Sequence, residues 1–250
     1  MADKPKYINA GGKLIDLSVP KVMGVINITP DSFYQGSRVT GDKEIIETAV
    51  KMTEEGADIL DIGGYSSRPS AEDITSEEEG GRGLNAVKLI RKELPDAVVS
   101  VDTFRVEIAK EAVSVYGAHM INDISGGGAD EKMFGLVSQL NVPYIMMHMK
   151  GNPRTMQENP EYDDVVAEIL LWSGSRIVKL QNAGVKDIIL DPGFGFGKTI
   201  KHNFEILERL GDFSVAGLPV LVGVSRKSMI WKSLSVTPSE ALNGTSVLHA

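Results

Sequence analysis

The chain has 250 residues, 42% of them hydrophobic, which is enough to bury one large α/β core and fits a single domain over residues 1–250. Its formal charge of −8 argues against nucleic acid as a partner, and the absence of cysteine excludes disulfides, thiolate nucleophiles and cysteine-bound zinc. Four scattered histidines without ligand spacing leave only a hard, oxygen-liganded metal in play, and no apolar run is long enough to cross a membrane, so a cytoplasmic protein is expected.

The first elements are two short half-apolar runs within 7–17 around Gly11 and Gly12, the spacing of a tight hairpin, expected to cap the floor of a barrel. Residues 22–28 are apolar nearly throughout, as a parallel strand covered on both faces must be, and they run into Asn27, Thr29, Pro30, Asp31 and Ser32. Helical spacing of Ile45, Ile46, Ala49 and Met52 predicts a crossover helix over 42–55, stopped by Gly56. The cycle then repeats. Strand 58–62 ends at Asp61 and feeds the loop GGYSSRPS with Arg68, and Ser76 to Glu79 read as a capping box. Strand 97–101 ends at Asp102 before a helix over 105–116, and Met120 and Ile121 end at Asn122 and Asp123 before a helix over 130–140. Strand 143–147 ends at His148 and is followed by a helix over 163–182, strand 188–191 ends at Asp191, and strand 219–223 ends near Ser225, Arg226 and Lys227.

Seven strand-then-helix cycles, each with a polar terminus on the same side, predict a barrel with its site at the C-terminal mouth. An open doubly wound sheet would gather its ligand residues at one switch point instead. Thr237, Pro238 and Glu240 open a last helix by cap, N1 proline and capping-box logic. No eighth strand is found before Ala250, and a seven-stranded wall has open edges, so a closing strand is expected beyond it.

The polar strand ends Asn27, Asp61, Arg68, Asp102, Asn122, Asp191, Ser225 and Lys227 should surround one cavity. Carboxylates there match two parallel N–H donors on a flat amidine or guanidine edge, which makes a planar nitrogen heterocycle the expected occupant. Arg68 and Lys227 would hold an anionic group. Asp61, Asp31 and Asp123 are the carboxylates most readily read as helix caps or salt-bridge partners. The loop DPGFGFGK at 191–198 reads first as a glycine turn with Asp191 capping its backbone.

These residues resemble the dihydropteroate synthases. The resemblance rests on MGVINITPDSF at 23–33, DIGGYSSRP at 61–69, SVDTFR at 100–105, IND at 121–123, DPGFGFGK at 191–198 and GVSRKSMI at 223–230. It implies a (β/α)8 TIM barrel with an N-terminal β-hairpin, and a transferase that joins 6-hydroxymethyl-7,8-dihydropterin diphosphate to p-aminobenzoate with Mg2+ as cofactor. It places Asp102, Asn122, Met146, Asp191, Phe196 and Lys227 around the pterin, and Ser67, Pro69, Phe196, Ser225 and Lys227 around p-aminobenzoate. It puts Asn27 and Arg68 at the diphosphate, with Asn27 near the metal, and makes Asn27, Arg68, Asp102 and Lys227 the catalytic set. A homodimer, sulfonamide sensitivity, and loops 29–40 and 63–75 acting as lids belong to the same expectation. Tyr65 and Ser67 depart from the glutamate and threonine of many members, and the family's final strand with its Arg-x-His anion ligands is absent before Ala250. Two other readings are a pterin-binding corrinoid methyltransferase and a catalytically silent pterin-binding barrel.

Overall fold

The computed structural model describes residues 7–28, 41–66, 73–152 and 155–250. Strands β1 (Tyr7–Ala10) and β2 (Lys13–Asp16) pair antiparallel with Ala10 opposite Lys13, leaving a two-residue turn at Gly11 and Gly12. Their φ angles of 61° and 93° are those a primed hairpin turn demands, which glycine supplies without a Cβ clash. Ile8, Ala10 and Ile15 point to one side of the hairpin and bury themselves against Ile59, Met120, Ile145 and Ile189. Each isoleucine buried there contributes roughly 1.5–3 kcal/mol over leaving it in water. The hairpin is the floor that the sequence predicts.

The other strands form one parallel sheet in strict chain order: β3 (Met23–Asn27), β4 (Ile59–Gly63), β5 (Val98–Asp102), β6 (Met120–Asp123), β7 (Tyr144–Met147) and β8 (Ile188–Asp191). Between them lie α1 (Asp42–Glu54), α2 (Ser76–Glu93), α3 (Val106–Ser114), α4 (Met133–Leu140) and α5 (Val165–Ala183), followed by α6 (Ile200–Glu208), α7 (Ser228–Ser233) and α8 (Leu242–His249). Consecutive neighbours joined by crossovers of one hand put every helix on the same face, as in a singly wound barrel wall. Alternation along the strands then sorts the side chains. Leu60, Ile62, Val99, Val101, Ile121, Tyr144, Met146 and Leu190 join the large cluster with the helices. Ile59, Met120, Ile145 and Ile189 face inward to the hairpin.

Two local expectations are corrected. Residues 219–223 form no full strand: they make one bridge, Leu190 to Val220, closed by Leu190 N to Pro219 O and Leu221 N to Leu190 O, both 2.9 Å. A run with a partner on one side only gets half a ladder, and Pro219 has no N–H to offer. At the opposite edge Val25 is 44% exposed although its rung neighbours Asp61 and Ser100 are buried, so both edges of the wall are open among the described residues. The capping box read at Ser76 and Glu79 is also replaced. Thr75 caps α2, its hydroxyl accepting from Glu78 N at 3.2 Å, while Glu79 turns inward. The box at Thr237 and Glu240 forms as read, ahead of a 3-10 turn at Pro238–Glu240.

Under the hairpin, His119 is pinned to β5 twice: its own N–H donates to Val99 O, and its Nδ1 accepts from Val99 N at 3.1 Å. Burial, reinforced by Arg91 and Lys13, lowers its pKa to about 4. Protonation would turn Nδ1 into a donor facing a donor. Because the folded pKa is depressed, the stability due to neutral His119 is complete above the unfolded value and is lost as pH falls from about 6.5 towards 4. His119→Asn, whose side-chain oxygen can still accept, should therefore be destabilised less than the wild type on acidification, by on the order of 1 kcal/mol at pH 5. Parallel stability-versus-pH curves for the two proteins would show that the imidazole does not titrate in this window.

Candidate active site

Strand register sets the site. Asn27, Gly63, Asp102 and Asn122 share one inward rung across β3 to β6, and Asp191 pairs with Met147 at the ends of β8 and β7. Gly63 leaves the middle of that rung open: a Cβ there would lie 3.2 Å from Asn27 Oδ1 and 3.7 Å from Asp102 Oδ2. Both side-chain oxygens thus border the space that a side chain at 63 would fill.

Asp61 stands one inward step below. Among the described residues it is neither a cap nor a salt-bridge partner: it is 3% exposed and accepts from Asn122 Nδ2 at 2.9 Å. That bond fixes the Asn122 amide with Oδ1 turned away. Among the described residues Asn122 Oδ1, Asp61 Oδ1 and Ser100 Oγ are buried without a hydrogen bond of ordinary geometry, although Ser100 lies close enough to Asp61 to oppose the rise of its pKa. Groups so placed cost roughly 1–3 kcal/mol each when left unpaired, a cost that a ligand rich in donors removes. Asp123 has a structural role of another kind than the helix cap or salt bridge expected: it holds the turn after β6, accepting from Ser125 N, Ser125 Oγ and Gly127 N, and accepts from Tyr144 OH. Asp31 lies outside the described residues, as do Ser67, Arg68 and Pro69.

Met146 does not reach the site. Alternation along β7 turns it outward into the helix-facing core, and the residue facing inward opposite Asp191 is Met147.

Asp191 ends β8 with its Oδ1 accepting from Gly193 N at 2.7 Å, the cap expected of the glycine turn. The glycines are needed for backbone packing. A Cβ on Gly193 would sit 1.9 Å from His148 O, and one on Gly197 2.4 Å from Lys150 O. Lys227 donates to Phe194 O and lies 5.0 Å from the Phe196 ring centroid, while Ser225 is exposed in the same loop.

Burial raises the pKa of Asp61, Asp102 and Asp191, and Asp102 is pushed furthest because Asp61 and Glu79 add like charge. For Asp191 the neighbouring Lys227 opposes that rise. Lys227 itself is lowered to about 8 by burial. The mouth is thus lined by carboxyls that hold their protons unusually well until donors arrive to stabilise the ionised form.

Sequence reasoning set Asp61 among the polar ends around the cavity but favoured a structural role for it, and it missed the residue Met147 and two supporting devices. One is Glu79, buried where α2 meets Thr103 and Arg105. The other is Lys198, 3% exposed beside His148. Period-two counting back from Gly63 and Asp102 would have turned Asp61 inward.

Fold and site together define a parallel-barrel protein that takes a planar, donor-rich ligand at the ends of its strands. Residues 23–250 match the model of the family described as pterin binding enzyme, and the chain belongs to that family, among its dihydropteroate synthases. It is 44% identical to the dihydropteroate synthase of Escherichia coli strain K12 over 241 residues, covering 94% of this chain and 83% of the relative. The solved Yersinia pestis dihydropteroate synthase with a sulfonamide drug superposes with a TM-score of 0.91 at 36% identity, covering 97% of this chain and 87% of that one. The Thermus thermophilus enzyme in complex with 6HMPPP gives 0.82 at 35% identity, with 97% and 87% covered. The TIM-barrel class expected from the strand count holds.

Proposed function

We propose that this chain condenses 6-hydroxymethyl-7,8-dihydropterin diphosphate with p-aminobenzoate, releasing diphosphate and 7,8-dihydropteroate for folate biosynthesis. The observation that carries the reading is the pair of buried acceptors Asp61 Oδ1 and Asn122 Oδ1, without a partner among the described residues, beside Asp102 and Asp191, which suits the donor-rich edge of a pterin. Relatives in this family have been solved with 4-aminobenzoate and with 6HMPPP, which supports the pair of substrates.

In this reading the carbon–oxygen bond to diphosphate breaks first, with the electron pair leaving on diphosphate. The aniline nitrogen then attacks the pterin cation and loses its proton. Asp191, Asp102 and Asn122 hold the ring, Lys227 and Phe196 flank the incoming aniline, and Ser67, Pro69 and Ser225 complete its pocket. Arg68 and Asn27 meet the departing charge, where positioning and electrostatic stabilisation matter most. Asn27 Oδ1 and Asp102 Oδ2, both bordering Gly63, are the oxygen type that Mg2+, a hard cation, takes. Among the described residues no group of three acidic or histidine side chains could hold it alone, so substrate oxygens and water would supply most of its ligands. When bound, the metal would neutralise diphosphate charge.

A cytoplasmic homodimer is the accompanying proposal. It is supported by the lack, among the described residues, of a helix long and apolar enough to cross a membrane, and by exposed Leu171, Val178 and Val247 on the outer helices. The deciding assay is diphosphate release. Release coupled to formation of 7,8-dihydropteroate when both substrates are present is expected, and no dihydropteroate and no diphosphate overturn the reading.

A further inference from the structure

The loop after β8 is held by an unusual set of donors. Every carbonyl from residue 193 to 197 accepts from a side chain. Lys198 Nζ donates to Gly193 O and Phe196 O at 2.9 Å each, Lys227 to Phe194 O, Gln157 Nε2 to Gly195 O at 2.5 Å, and Tyr162 OH to Gly197 O at 2.8 Å. Lys198 also spans to the end of β7, with His148 O at 3.3 Å and His148 Nδ1 at 3.1 Å. Its four acceptors are all uncharged, because burial keeps His148 neutral. Taking an ammonium into such a place costs several kcal/mol, and burial lowers the Lys198 pKa to about 7 against the favourable charge of Asp191.

What the charge does follows from which atoms it joins. The Asp191 backbone is already held, since β8 pairs with β7 and His148 N donates to Asp191 O at 2.9 Å, so Lys198 adds only a favourable charge there. Phe196 has no ladder. Its carbonyl is tied to Lys198, and its ring, half-buried, lies beside Lys227.

We propose that Lys198 is a positioning residue for the second substrate: by pinning the carbonyls of Gly193 and Phe196 to the end of β7, it sets the Phe196 ring against the aromatic amine. The assignment rests on the proposed function for the identity of that amine. The pterin subsite, on strand ends held by the β-ladder, depends on it less.

Lys198→Met keeps the bulk of the side chain and removes all four bonds. It should raise the KM for p-aminobenzoate about tenfold or more, the scale of a lost charged hydrogen bond, while kcat and pterin affinity change by less than about threefold. A KM within twofold of wild type, or an equal loss of pterin affinity, overturns the proposal. Amide hydrogen exchange across 193–197 should speed up in the variant while β7 and β8 keep their protection, and unchanged loop exchange overturns the pin itself. Exchange needs no substrate. A wild-type chain that releases no diphosphate, yet loses loop protection in Lys198→Met, would therefore overturn the proposed function and leave the pin standing. Should Lys198→Met fail to fold, Gln157→Ala removes the donor to Gly195 O from the exposed side. It should raise the same KM about threefold without altering pterin affinity, and an unchanged KM overturns the proposal.

Discussion

Asp191→Asn is expected to weaken pterin binding by roughly 1.5–3 kcal/mol, about ten- to a hundredfold in affinity. The reason lies in the bond Asp191 already makes. Its Oδ1 accepts from Gly193 N at 2.7 Å inside a turn whose φ of 71° fixes the direction of that N–H. An amide at 191 must keep its one oxygen there, or set two N–H groups against each other. Its NH2 then faces the ligand, a donor against the donors of the guanidine-like edge. The same logic gives a pH signature. Burial raises the pKa of Asp191, so acidification protonates it early and makes the wild type resemble the variant. Wild-type affinity should fall with falling pH through that range, and the variant should lack the component due to Asp191. Calorimetric titration with a pterin across pH tests both points, and unchanged affinity in the variant would remove Asp191 from the site.

How much of this was legible in the sequence depends on how local each signal is. Asn27, Asp102, Asn122 and Asp191 stood out because an apolar run that halts at a polar residue marks the mouth of a parallel barrel, and the register puts the first three on one rung. Met146, placed by the resemblance, and Asp61, counted among the polar ends yet most readily given a structural role, turn on one point. Which face a strand residue takes is settled by register with its neighbours, and a shift of one residue moves it from cavity to core. The run 219–223 reads as an interior strand by composition, yet a ladder needs a partner on each side and none is present on its outer side among the described residues. Lys198 is a different case, because no spacing rule predicts that a lysine will direct its donors to carbonyls two and five residues back and to a histidine fifty residues away. Glu79 carried a misleading signal. Four residues reading S-x-x-E look like a cap, but tertiary burial outweighed the local bond, and Thr75, one residue earlier, took the role.

That buried glutamate carries the largest stability effect expected in the chain. Glu79 is 1% exposed, with Oε1 accepting from Thr103 Oγ1 and Oε2 from Arg105 Nη1, both at 2.6 Å. Arg105 then reaches Ile74 O at 2.6 Å and lies over the rings of Tyr65 and Phe104. One carboxylate thus ties the end of β5, next to Asp102, to the chain on both sides of residues 67–72. Glu79→Ala leaves a largely buried guanidinium and a buried hydroxyl without their acceptor, which should cost about 3–5 kcal/mol. For a chain of this size that lowers Tm by roughly 6–20 °C. Glu79→Gln keeps an acceptor and should cost less. The pH dependence separates charge from shape: burial raises the folded pKa of Glu79 against the opposing pull of Thr103 and Arg105. A raised folded pKa means that the contribution of Glu79 is complete below the unfolded value of 4.5 and is lost as pH rises through the folded one. The stability gap between the wild type and Glu79→Gln should therefore be widest in mild acid and narrow towards neutral pH, while Glu79→Ala stays well below both. Thermal melts of the three proteins across pH decide it. A loss under about 1 kcal/mol for Glu79→Ala would mean that water reaches Arg105 once the carboxylate is gone, and that the link between α2 and β5 is carried by packing alone.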